Sequence, residues 1–210
     1  RRVVRLKRRI PLRLIRAFLR TMNSWNKHSI FCASAMHHFV LGICLFLGLG
    51  LLSSARAQPG MWAVEKAIEL KYSVPQVSSD SLAARLARGD STLLIFDTRP
   101  FEEYDVSRLR DAIRIDPDMG VEEFIAAHGQ ELSGRDLIFY CSVGYRSSDV
   151  VQRVMSAAQE MGARSVSNLR GGLFRWYNED RPLFRDAPVD TVHPYDAQWG
   201  RFLRKKESAE

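Results

Sequence analysis

Cysteine is scarce in this sequence: three occur in 210 residues, at positions 32, 44 and 141. Two of them fall in an apolar leader, so the remainder of the chain holds Cys141 alone and cannot carry an internal disulfide framework. Neither Cys32 nor Cys44 follows the small residue that a lipoprotein acceptor would require. No group of His, Cys, Asp and Glu has metal-ligand spacing, so neither metal nor cofactor is expected. Acidic residues are missing altogether before Glu65, whereas eleven Lys and Arg lie in that stretch. Setting those eleven aside from thirty-one leaves twenty basic residues against all twenty-four acidic ones, so residues 65–210 carry about −4 in a chain of net charge +7. A nucleic-acid-binding reading of the overall charge therefore fails, because the positive charge is confined to a segment outside the expected fold.

Also lacking in the leader is a bilayer-spanning length. The uncharged apolar run 39–52 has fourteen residues, against the ~20 that a helical span requires. It fits the apolar region of an export signal. Ala55-Arg56-Ala57 follows in the A-x-A pattern, so cleavage after Ala57 is expected, with Gln58 as the mature N-terminus. An uncleaved anchor is the alternative, its apolar segment extended through residues 30–35 across Met36-His37-His38. An Arg-rich, acid-poor mitochondrial transit peptide is a third reading. Residues 1–21 precede Met22, so translation starting at Met22 or Met36 is also consistent, and the same tract suits a basic tail at the inner membrane face. The expected location is periplasmic or secreted, with membrane contact only through an uncleaved leader.

What is present centres on Asp136-Leu-Ile-Phe-Tyr-Cys141-Ser-Val-Gly-Tyr-Arg146-Ser-Ser-Asp149. Leu137 to Tyr140 is a short continuous apolar run, as in a parallel strand covered on both faces. A six-residue turn follows, and after Ser147 the positions Val150, Val151, Val154, Ala158 and Met161 recur at helical spacing up to Gly162, a C-terminal stop. Cys141 thus falls between a strand end and a helix N-terminus, where unpaired amides and the dipole favour an anion. A free cysteine titrates near pH ~8.5, and such a setting with a neighbouring cation brings it to roughly 3.5–7.5. Arg146 supplies the cation, and Gly144 allows positive φ or close approach of the backbone to an anion. Cys141 reads either as a small buried apolar residue or as a nucleophile; its context favours the second.

Cys141-Ser-Val-Gly-Tyr-Arg146 resembles the C-x-x-G-x-R active-site loop of single-domain rhodanese-like sulfurtransferases. Asp97-Thr-Arg99-Pro-Phe-Glu-Glu103-Tyr104, Ala112-Ile113 and Gly171-Gly172-Leu-Phe-Arg-Trp176 resemble further motifs of that family in the same order. The resemblance implies an α/β domain over residues 78–185, a central parallel sheet flanked by helices. It implies Cys141 and Arg146 as catalytic residues, with Ser142, Val143, Gly144 and Tyr145 around the sulfur, and Asp97 and Arg99 as support. Asp97 could instead act as a general acid. Tyrosine phosphatases use C-x5-R, one residue longer, and the shorter C-x4-R loop suits a smaller group such as a sulfane sulfur. Where the family has a Gly-His-Ile pattern, this chain has Ser107-Arg108-Leu109-Arg110; the two arginines either favour anionic donors or form an ordinary solvated loop.

The remaining pattern follows. Residues 58–77 read as a short connecting segment in which Trp62, Ile68 and Leu70 cover one side, closed by Pro75. Ser78 or Ser79 caps a helix with Leu82 and Leu86 inward and Gly89 at its end. Leu93 to Phe96 is a strand, Pro100 opens a short helix, Ile113 and Ile115 mark a strand, and residues 121–127 a helix with His128 as a terminal cation. Ser165 to Leu169 is a strand, followed by a short helix carrying Phe174 and a core Trp176. Residues 186–210 form a tail in which Trp199, Phe202 and Leu203 dock and residues 205–210 fray.

The expected activity is transfer of a sulfane sulfur from a small donor such as thiosulfate to a thiophilic acceptor through a Cys141 persulfide. Phosphatase, thiol-redox and non-catalytic binding-module readings stand as alternatives. Sequencing the N-terminus of the exported protein is expected to begin at Gln58; an intact leader would establish the anchor instead.

Overall fold

The computed structural model describes residues 60–204; the expected export signal and cleavage site, Cys32, Cys44 and residues 205–210, expected to fray, lie outside them. The centre is strand β4 (Asp136–Tyr140), buried along its whole length. It lies between β2 (Leu93–Asp97) and β5 (Ser165–Leu169), with β1 (Gln76–Val77) beyond β5 and β3 (Ile113–Arg114) beyond β2. All four pairings in this five-stranded sheet are parallel.

The parallel register places Phe96 beside Phe139, their rings stacked at 4.9 Å. Phe124 from helix α4 (Val121–His128) completes the cluster, with centroids 5.4 and 5.8 Å from those two. His128 ends that helix packed on Phe96 at 5.0 Å and bonded through Nδ1 to Glu131. Leu137, Phe139, Val151, Val154 and Ala158 are fully buried, and each Leu or Phe of this kind contributes roughly 1.5–3 kcal/mol.

Helix boundaries follow local chemistry. Ser78 caps α2 (Ser79–Ala87), its hydroxyl accepting the Ser81 amide at 3.1 Å. Helix α5 (Tyr145–Glu160) stops before Gly162, whose φ of +90° supplies the left-handed turn. It begins earlier than the apolar spacing suggests. Gly144, at φ +97°, turns the chain immediately, so Tyr145, Arg146 and Ser147 already belong to the first turn.

The expected connection before residue 78 is structured. It forms α1 (Met61–Lys71) and the edge strand β1. Val64, Ala67 and Ile68 face inward, whereas Trp62 and Leu70 are 59% and 61% exposed, contrary to their expected covering role. Glu65 ties α1 to α6 (Gly172–Asn178) through paired bonds to Arg175 of 2.6 and 2.8 Å. After α6, β6 (Leu183–Phe184) and β7 (Pro188–Val189) form a small hairpin, and α7 (Ala197–Gly200) follows. Asn178 anchors the end, donating to the Phe202 carbonyl at 2.7 Å and accepting the Arg204 amide at 2.8 Å.

The strand order creates a switch point. From β2 the chain runs through α3 (Phe101–Val106) outward to β3, whereas from β4 it runs through α5 to β5 on the other side. The connections diverge at the carboxyl ends of β2 and β4, opening the crevice where open α/β sheets place their sites. Asp97 and Arg99 brace this edge. Both side chains are fully buried; Arg99 donates to both Asp97 oxygens at 2.6–3.1 Å and to the Ser107 carbonyl at 2.5 Å.

Arg99→Met strands the Asp97 carboxylate without its counter-charge. It is expected to cost about 3–5 kcal/mol in urea unfolding; a loss within about 0.5 kcal/mol, the range of ordinary surface changes, would show the pair to be dispensable.

Candidate active site

Cys141 is the first residue beyond β4 and lies in the switch-point crevice, with 1% of its surface exposed. The loop Ser142–Gly144 bends over it, and the Gly144 amide donates to its Sγ at 3.2 Å. Burial pushes the thiol up. The Arg146 charge, the Ser147 amide and hydroxyl, and the Val143 amide outweigh it, so the net direction is downward from the ordinary value. The loop amides and one guanidinium thus converge on the sulfur, the arrangement that stabilises an anion without bulk water.

The back of the loop is held by a second backbone. The Cys141 and Ser142 carbonyls accept the Leu173 and Phe174 amides, both at 2.9 Å, from the first turn of α6. This approach requires glycine at 172: φ is +55°, and a Cβ there would lie 2.3 Å from the Cys141 carbonyl oxygen. Beneath the turn, buried Asn168 accepts the Ser147 hydroxyl at 2.6 Å and donates to Gln76 Oε1 at 2.8 Å. The edge strand β1 therefore supports the active loop through Gln76.

Arg146 does not stand free. Glu103, on α3 and 2% exposed, accepts it in a fork, with Nη1 to Oε1 at 2.7 Å and Nη2 to Oε2 at 3.0 Å. The Ser142 hydroxyl closes the triangle, accepting Arg146 Nη2 at 3.0 Å and donating to Glu103. Burial pulls the guanidinium down, but the Cys141 and Glu103 charges and hydrogen bonds hold it above its ordinary value. Glu103 is the site residue that motif reading left without a role. An arginine entering a buried site implies a carboxylate partner, yet spacing alone does not separate Glu103 from its exposed neighbour Glu102.

The structure brings Cys141, Ser142, Val143, Gly144, Tyr145 and Arg146 together in one loop, with Tyr145 on the α1 side. Lys71 bonds the Tyr145 hydroxyl with its ammonium 4.4 Å above that ring, and Tyr72 meets it edge-on at 5.3 Å. Asp97 and Arg99 lie behind the loop, engaged with each other. Asp97 has no exposed surface, and proton donation from it would cost the Arg99 pairing. Arg108 is committed elsewhere: it donates to the Arg185 carbonyl at 2.6 Å and lies over the Tyr104 ring, while Arg110 stacks on Phe184 at 4.0 Å. Both serve the β6–β7 hairpin. Among the described residues no group of three or more His, Cys, Asp and Glu is placed to hold a metal ion.

Residues 78–179 match the family model for the rhodanese-like domain. A sulfurtransferase of Allochromatium vinosum is 30% identical over 111 residues, a match covering 52% of this chain and 94% of that protein. A tRNA uridine(34) hydroxylase of Burkholderia lata is 31% identical over 111 residues, 50% of this chain and 38% of that protein. The chain thus spans less than half the length of the hydroxylases it matches. A solved thiosulfate sulfurtransferase from Pseudomonas aeruginosa overlays with a TM-score of 0.46 and 20% identity, covering 59% of this chain and 22% of that one.

Replacing Arg146 by Met removes the cation that holds the Cys141 thiol down. Because the thiolate is the reacting form, the midpoint of the pH profile for Cys141 alkylation is expected to rise by about 1 unit or more. An unmoved midpoint would assign the depression to the amides alone.

Proposed function

This chain belongs to the rhodanese-like family, and we propose that within it the protein carries sulfane sulfur on Cys141, from a small anionic donor such as thiosulfate to a thiophilic acceptor. The observation that carries the reading is a sulfur at a strand end, ringed by the amides of its own loop and held below its ordinary pKa beside Arg146.

In the first step the Cys141 thiolate attacks the outer, sulfane sulfur of thiosulfate. The new S–S bond forms as the bond to the sulfonyl sulfur breaks, and the electron pair leaves with sulfite. In the second, a nucleophilic acceptor such as cyanide or a thiolate takes the outer sulfur, and the pair of the breaking S–S bond returns to Cys141. No external oxidant or reductant is consumed, and splitting the transfer gives each half a lower barrier. The Gly144 and Val143 amides stabilise the anionic sulfur in both states. Arg146, neutralised by Glu103, orients the loop and adds local positive potential without leaving an unpaired buried charge.

A short C-x4-R loop supports sulfur over phosphoryl chemistry, since one residue fewer leaves a narrower cradle. The tRNA-directed activity in the names of the longer relatives is not carried over. Residues 65–210, at about −4 overall, lack the basic footprint that a polyanion calls for. Under the same proposal the leader directs the protein out of the cytoplasm.

Cys141→Ser is expected to abolish thiosulfate-dependent sulfur transfer while leaving thermal unfolding nearly unchanged. Mass spectrometry of the wild-type chain after thiosulfate should place one added sulfur atom on Cys141. Oxygen in its place would indicate a redox thiol, and no adduct a binding module.

A further inference from the structure

A thiol with 1% of its surface exposed has to be reached by both donor and acceptor, so whatever walls the crevice selects them. Segments outside the family match at 78–179 contact both final residues of the loop. Lys71, the last residue of α1, and Tyr72 just beyond it hold Tyr145 on one side. On the other, Tyr195 lies against Arg146, its ring centroid 5.3 Å from the guanidinium carbon.

Tyr195 belongs to a strap fixed at both ends. Val192 is buried at 7% exposure, and Asp196 caps α7 by accepting the Gln198 and Trp199 amides at 2.8 and 2.9 Å. Beyond α7, Asn178 binds residues 202 and 204. Between the anchors the backbone turns sharply at Tyr195, where φ is +66° and the amide donates to His193 Nδ1 at 3.0 Å. L residues rarely adopt that conformation, and the surrounding anchors hold it in place. Since Glu103 already matches the Arg146 charge, the partner suited to the remaining cationic face is an aromatic ring rather than a second carboxylate. Tyr195 is 38% exposed while its ring meets Arg146, so it touches both the cation and solvent.

We propose that Tyr195 is a specificity-determining residue: its ring, held over Arg146 by the strap, limits the size of the sulfur compounds that reach Cys141. Compact anions of thiosulfate size pass beside it, and bulkier donors or acceptors require the strap to move away. The proposal rests on Cys141 as the sulfur carrier, but its readout is independent of transfer.

The test uses the full chain and compares alkylation of Cys141 by iodoacetamide and by a fluorescein maleimide, each read on the Cys141 peptide by mass spectrometry. Both reagents consume the same thiolate, so a pKa change cancels in their rate ratio. Wild type should favour the small reagent beyond its preference on a free cysteine peptide. Tyr195→Ala should reduce that excess about tenfold, the scale of losing one partly desolvated cation–π contact, while Tyr195→Phe retains it. Tyr195→Asn removes the ring but tolerates the left-handed backbone, and should match Tyr195→Ala with native circular dichroism. An unchanged ratio in a folded Tyr195→Asn chain overturns the proposal. Absence of a persulfide in wild type would instead sink the sulfurtransferase reading and leave this ratio intact.

Discussion

A sulfur anion shut away from water is unstable unless fixed dipoles and a counter-charge replace its hydration. Around Cys141 the dipoles are the Val143 and Gly144 amides and the amide and hydroxyl of Ser147, and the counter-charge is Arg146; together they hold the thiol below its ordinary pKa. An arginine placed there brings its own burial cost, which Glu103 and Ser142 offset by satisfying its donors. Around the loop, α3 supplies Glu103, α6 the two amides that hold it, and β5 the Asn168 beneath it.

Amides direct an anion only if the backbone carrying them cannot drift. The loop is clamped from behind by the amides of Leu173 and Phe174, and from beneath by Asn168 through Ser147. Glycine at 144 and 172 is a steric condition for this closeness rather than a source of looseness. The first turns the chain at once into α5, and the second lets α6 approach the Cys141 carbonyl. Behind the crevice the buried Asp97–Arg99 pair joins the end of β2 to the Ser107 carbonyl, holding α3 and hence Glu103 in register. A pair so deeply buried is modest evidence for stability but specifies one arrangement of the strand end.

The segments flanking the family domain are part of the same construction. Helix α1 binds α6 through Glu65 and Arg175 and reaches the loop at Tyr145, while the C-terminal strap reaches it at Arg146. The family domain is thus flanked by contacts from outside its matched residues, and substrate selection lies in those contacts under our proposal.

Local chemistry made much of this legible in advance. A continuous apolar run marked β4, the pair Ser78-Ser79 and Gly162 marked helix ends, and the spacing of Cys141, Gly144 and Arg146 marked the loop. Such signals depend on near neighbours along the chain, through side-chain period, φ preference and capping. Glu103, Asn168 and Tyr195 were not legible, nor was the edge strand β1 in a stretch with little apolar alternation. Arg108 illustrates the same limit: as a loop cation it suited an anionic donor, but the hairpin that claims it lies seventy-seven residues away. Sequence alone determined the α/β class, the strands from β2 to β5 in their order along the chain, and the loop that sets Cys141 beside a cation. Only the tertiary structure decided which carboxylate meets Arg146 and which ring covers it, because those meetings depend on how parallel crossovers order the sheet, and no local spacing encodes that order.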